Sequence, residues 1–138
     1  MTDEKDLGYI ELQHTADWAV RVWAPDYPTL LIQAARAMYE ITGMRLDQDQ
    51  KVEHVVELAA SDDESLLVAF LSELLFLQET ENLAFNKIRL NVSGFELQAW
   101  LSGAKIKDQA KEIKAVTYHN LNIQRLSQGL EVTIVFDV

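Results

Sequence analysis

The sequence predicts an α+β fold, a two-layer sandwich with two amphipathic helices packed on one face of one mostly antiparallel or mixed β-sheet. Three observations predict it. Two segments, Leu30 to Ile41 and Leu66 to Leu75, repeat apolar residues at helical spacing. Most of the remaining chain alternates apolar and polar residues with period two. Two short glycine-containing turns, Ser93-Gly94 and Ser127-Gln128-Gly129, join neighbouring alternating runs. Each apolar face needs one partner layer, and two helices against a one-sided sheet satisfy both.

The elements follow in order. A strand precedes the HTAD turn, His14 to Asp17, and a second strand sets Trp18, Val20 and Val22 on one face and Asp17, Ala19, Arg21 and Trp23 on the other. The segment APDYP, Ala24 to Pro28, reads as a turn feeding a helix, because proline's missing N–H would be unpaired in a first turn anyway. Leu30, Leu31, Ala34, Ala35, Met38 and Ile41 then form a helical stripe, and Gly43 supplies a stop. Val52, His54 and Val56 suggest a strand. A second helix is expected from SDDE, where Ser61 and Glu64 fit a capping box, with Leu66, Leu67, Phe70, Leu71, Leu74 and Leu75 facing the core. Four strands complete the order. In the last of them Leu130, Val132, Ile134, Phe136 and Val138 share the apolar face, which leaves Glu131, Thr133, Val135 and Asp137 on the other.

Length and composition narrow the function. A chain of 138 residues has room for a single domain, taken as 1–138, able to bury about two-thirds of its unfolded surface. The formal net charge of −10 is spread along the chain and repels phosphate, so strong direct nucleic-acid binding is not expected. With no cysteine there are no disulfides, no thiolate chemistry and no cysteine-type zinc site. The first residues are charged, no run approaches membrane-spanning length, and the expected place is the cytoplasm, away from any membrane. There is no Walker loop, dinucleotide fingerprint, nucleophile elbow or paired-histidine zinc motif.

Several polar residues have both a chemical and a plain reading. Asp17 at a turn first of all ties down backbone, and Asp137 at a strand end is commonly just solvated. Together with the α-carboxylate at Val138 they would offer several hard oxygens, the ligands preferred by Ca²⁺, Mg²⁺ or Mn²⁺. Lys114 and His119, in IKAVTYH, read either as phosphate-contacting and proton-transferring groups or, more simply, as a surface cation and a partly buried imidazole. His54 reads as a half-buried strand residue. Asp47, Asp49 and Glu53 lack the glycine and glutamate spacing of a calcium loop and read as a solvated turn.

The segments HTADWAVRVWAPDYPTLLIQAARAMYEIT, SLLVAFLSELLFL, KAVTYH and the final VFDV, in this order, resemble the archease family over nearly all of the chain. The resemblance implies an accessory protein and not an enzyme, one that promotes guanylylation and turnover of an RtcB-type RNA ligase in tRNA splicing and RNA repair. It also implies a divalent metal, usually Ca²⁺, held by Asp17, Asp137 and Val138, and a functional lysine at Lys114 followed by His119. After HTAD the family often carries isoleucine or leucine and then glycine. This chain has Trp18 and Ala19, and the indole either alters a partner's approach or fills a neighbouring gap. The competing expectations are a free-standing metal-dependent hydrolase using His14 or His119 as base, and a binding module whose metal is purely structural.

Overall fold

In the computed structural model the described residues are 6–12 and 18–138. Ten elements follow one another: β1 (Gly8–Leu12), β2 (Trp18–Ala24), α1 (Tyr27–Thr42), β3 (Arg45–Ala59), α2 (Asp63–Glu81), β4 (Leu83–Ser93), β5 (Glu96–Asp108), β6 (Ala115–Val116), β7 (Gln124–Leu126) and β8 (Gly129–Asp137). The expected order holds, with the two-residue β6 added before β7. All strand pairs are antiparallel. The α+β class and the two helices stand, while the strands divide between two sheets. One runs β1-β2-β8-β6 with β7 also alongside β8; the other runs β3-β5-β4. Alternation tells which face of a strand is buried but not which strand lies beside it, so the division is invisible to periodicity.

Helix α1 starts and stops where its local chemistry dictates. Asp26 adopts extended backbone as N-cap and its carboxylate accepts the Thr29 N–H at 2.9 Å. Gly43 ends the helix at φ 62°, a left-handed conformation that glycine enters without a Cβ penalty, and its N–H donates to the Glu40 carbonyl at 3.1 Å. Helix α2 corrects the expected cap. Its N-cap is Asp62, whose carboxylate accepts the Ser65 N–H at 2.7 Å, so Ser61 and Glu64 form no capping box. Asp is as strong a cap as Ser and sits one residue later in the run. Glu64 is then free to reach across the fold, where its carboxylate accepts the Ile123 N–H at 2.9 Å and pins the loop before β7.

Both helices serve both sheets. α1 packs against β1, β2 and β8 and also against β4, whereas α2 touches β3, β4, β5 and β6. One continuous apolar cluster results, drawing Val20, Val22, Ile134 and Phe136 from the first sheet, Leu97, Ala99 and Leu101 from the second, and Leu30, Met38, Phe70 and Leu74 from the helices. Burial of each such side chain contributes about 1.5–3 kcal/mol. α2 buries Leu66, Leu67, Val68, Phe70, Leu71, Leu74, Leu75 and Leu77, more than a single stripe, because it faces two sheets and α1 together.

The β4–β5 turn also differs by a residue from the expectation. Ser93 pairs with Glu96, so the loop residues are Gly94 and Phe95, with Gly94 at φ 60° and Phe95 largely exposed. Further along the same hairpin, β4 bulges between Phe85 and Lys87 and β3 between Asp47 and Lys51, both next to the Ser102–Lys105 stretch of β5. Asp47, Asp49 and Glu53, expected in a solvated turn, instead lie in β3; at its bulge the Asp47 carboxylate accepts the Asp49 N–H at 3.0 Å and the Gln50 Nε2–H at 3.2 Å. Gly103 permits the close approach there, since a Cβ on it would overlap the Ala84 carbonyl oxygen and crowd the Phe85 Cα.

Two consequences can be measured. Gly103→Ala forces two strands apart and is expected to destabilise the fold by about 2–4 kcal/mol, read as a lower urea midpoint; an unchanged midpoint would show that β4 yields freely. Tyr27 donates its hydroxyl to the Asp63 carbonyl at 2.7 Å, and burial first, then the charges of Asp63, Glu64 and Asp62, hold its pKa above the ordinary phenol value. The fold therefore favours the neutral phenol. That stabilisation is fully present below the ordinary phenol range and is lost as pH rises through it towards the raised folded value. Tyr27→Phe should cost about 1 kcal/mol at neutral pH and flatten the decline of stability in alkali, checked by urea unfolding across pH 8 to about 11.

Candidate functional site

The site is built on a row of three residues across the first sheet. Trp18, the first residue of β2, lies opposite Phe136 of β8, and Val116 of β6 lies opposite the same Phe136 from the other side. Phe136 is fully buried and Val116 nearly so, so apolar packing fixes this row. One position further along β8, Ala115 lies opposite Asp137, and the Lys114 N–H donates to the Asp137 carbonyl at 2.8 Å. Lys114 and Asp137 are thus brought together at one end of the sheet, both exposed. Val138 follows, half-buried and packed against the core cluster.

The segment carrying Lys114 is held from several sides. Ile113 is buried, and the Ala110 and Lys111 N–H groups donate to the Thr42 carbonyl at the end of α1, at 2.9 and 3.1 Å. Gln78 of α2 donates its side-chain amide to Gln109 at 2.9 Å. Between this segment and the C-terminal end of α2 lies a cavity of about 280 Å³, lined among others by Gln78, Asn82, Gln109, Glu112 and Lys114. The ammonium of Lys111 sits over the Trp18 ring, 4.0 Å from its centroid. No spacing rule in the sequence signals that contact, since the two residues belong to distant segments.

His119 stands apart from the pair. Thr117 donates both its N–H and its hydroxyl to the Val135 carbonyl, at 3.1 and 3.0 Å, and the Thr117 hydroxyl accepts the His119 N–H at 3.2 Å. The His119 ring is exposed and meets the Asn120 amide at 3.3 Å, with Asn120 in a left-handed turn at φ 54°. Among the described residues no imidazole hydrogen-bonds to Asp137. His14 and Asp17 lie outside the described residues. His54 is half-buried with its ring 6.3 Å from that of Phe85, the plain strand role read for it.

Charge is thinly paired here. Among the described residues the one ion pair is Arg45–Asp108, at the start of the segment that leads to Lys114, where the Arg45 guanidinium holds the Asp108 carboxyl below the usual carboxylate range. Asp137 therefore has no described cation within ion-pair distance. Among the described residues no group of three or more His, Asp or Glu side chains is assembled to hold a metal. Of the basic residues near Lys114, Lys105 donates to the Glu81 carbonyl at 2.8 Å and so caps the last turn of α2. Among the described residues no helix is long and apolar enough to cross a membrane.

These features define a small two-helix, two-sheet α+β protein whose Lys114 and Asp137 stand at an exposed sheet end, with Lys114 also lining the cavity beside α2. The profile of the Archease protein family (MTH1598/TM1083) matches residues 9–138, and the chain belongs to that family. It is 32% identical to protein archease of Methanosarcina mazei, with 94% of this chain and 95% of that protein covered, and 30% identical to protein archease of Pyrococcus furiosus, with 85% and 88% covered. Among solved structures, an archease from Thermotoga maritima described as a possible chaperone superposes with a TM-score of 0.71 at 28% identity, covering 92% of this chain and 94% of its own. The solution structure of protein 1598 from Methanobacterium thermoautotrophicum shares the fold, with a TM-score of 0.70 at 24% identity and coverage of 95% and 99%.

Proposed function

We propose that this chain is a non-enzymatic accessory protein that acts in the cytoplasm on an RtcB-type RNA ligase, promoting its guanylylation and turnover in tRNA splicing and RNA repair. The observation that carries the reading is the β6–β8 pairing, which sets the Lys114 backbone against Asp137 at an exposed sheet end. A lysine and an aspartate whose backbones are bonded at an exposed sheet end suit insertion beside a partner's reaction centre, where positioning and charge dominate phosphoryl-type transfer. The description of the Thermotoga maritima protein as a possible chaperone supports a protein partner.

The metal in this proposal is a divalent cation, most simply Ca²⁺ with Mg²⁺ or Mn²⁺ as substitutes, held by Asp17, Asp137 and Val138. The described donors fit it, because Asp137 is exposed and unpaired by any described cation, and oxygen ligands suit these hard ions. Asp17 lies outside the described residues, and its place in the set rests on the family resemblance; its sequence neighbour Trp18 is opposite Phe136, the neighbour of Asp137. A bound cation would supply fixed positive charge at the surface. Lys114 contributes an ammonium beside it, and the β6–β8 bonds keep that residue's backbone in place. His119 sits on the following turn as a contact for the partner or its nucleotide.

The test uses the purified protein with a cognate ligase and GTP, following covalent ligase guanylylation. Lys114→Ala should lower stimulation by roughly ten-fold or more with folding intact, and RNA or nucleotide turnover without the ligase should be undetectable. Asp137→Asn should weaken Ca²⁺ binding by at least about ten-fold in calorimetry, since each ligand charge tunes such sites. Full stimulation by Lys114→Ala, or unchanged binding by Asp137→Asn, would remove the corresponding half of the proposal.

A further inference from the structure

We propose that Lys111 and Trp18 form a clamp that positions Lys114, a device resting on the role just given to Lys114. The chain between Asp108 and Ala115 has no regular secondary structure. Its two bonds to the Thr42 carbonyl and the buried Ile113 anchor one side. The other side faces the start of β2, and the contact reaching across it is the Lys111 ammonium over the Trp18 indole, 4.0 Å from the centroid. Trp18 is itself fixed, because it lies in the row with Phe136 and Val116 and packs against the core.

The consequence for Lys114 is geometric. Lys114 is exposed and follows the buried Ile113, with its N–H on the Asp137 carbonyl as its tie to β8. Lys111, three residues earlier, ties the same segment to β2, the strand on the opposite side of β8. Contacts on both flanks of β8, together with the Thr42 bonds and the buried Ile113, hold the segment and with it the Lys114 backbone. A cation over an aromatic face suits the purpose, since the attraction survives at a partly exposed position where an ordinary ion pair is screened. The same contact parks one positive charge on an indole, apart from the carboxylate of Asp137 that the cation needs. Trp18 and Lys111 are thus positioning residues, touching neither nucleotide nor reacting atoms.

The experiment measures ligase guanylylation against concentration of this protein, with NMR of the Lys111 side chain as direct readout. In the unaltered protein the Lys111 ε-methylene protons should be shifted upfield by the indole ring current, and the shift should vanish in Trp18→Leu. Lys111→Gln and Trp18→Leu should each lower the maximal stimulated rate by about three-fold with the half-saturating concentration unchanged. Lys111→Arg should restore the rate, because a guanidinium also stacks on indole, and the double variant should be no slower than either single one. If Trp18→Leu fails to fold, Trp18→Phe takes its place and should give a smaller loss. Additive losses, an equal loss in Lys111→Arg, an absent ring-current shift, or normal rates in Lys111→Gln alongside a large loss in Lys114→Ala would overturn the clamp. Full activity of Lys114→Ala would instead take down the ligase reading first, and the clamp's purpose with it, while the ring-current shift still reported the contact.

Discussion

The antiparallel pairing of β2 with β8 is the constraint on which the remaining structure depends. Seven register pairs, from Trp18 opposite Phe136 to Ala24 opposite Leu130, join a strand near one end of the chain to the strand at the other. Their inward side chains, Val20, Val22, Val132 and Ile134, are all but fully buried. Loop closure over such a separation carries a large entropic cost, and the area buried by these residues is what offsets it. β8 is also the strand on which β6 and β7 are laid, at its two ends. Remove it and the sheet keeps only β1 and β2.

From that strand the candidate site inherits its precision. Phe136 points inward and is fully buried, so by the alternation of a strand Asp137 must point out. Val116 is buried on β6 opposite the same residue, and the two residues before it, Lys114 and Ala115, are exposed. The candidate residues are therefore placed by the core beneath them together with the backbone bonds of β6 and the segment before it. An arrangement of that kind leaves lysine and carboxylate free for something else to neutralise.

Much of this was legible in the sequence. The stripe from Leu30 to Ile41 marked α1, the alternation from Leu130 to Phe136 marked β8, and both arose because burial on one face imposes a period. What failed to show were features decided by competition between equivalent local choices. Asp62 and Ser61 are both good caps, and only the completed fold, which employs Glu64 at Ile123, selects Asp62. The β3–β5 pairing that completes the second sheet and the Lys111–Trp18 contact are long-range, and periodicity is silent on them. The nearness of Lys114 and Asp137 depends on β6, two residues long and too short to carry any repeating pattern.

The late position of β8 has a further consequence for biosynthesis. During translation β2 leaves the ribosome on the order of a hundred residues before the partner that completes its sheet, a strongly non-local arrangement of the kind that folds slowly. The hairpin of β4 and β5, joined by the two residues Gly94 and Phe95, can form long before. A nascent polypeptide thus carries one finished sheet while the other waits with an open edge. Lys114 emerges ahead of the strand it docks on, so its bond to Asp137 forms only once β8 has been made.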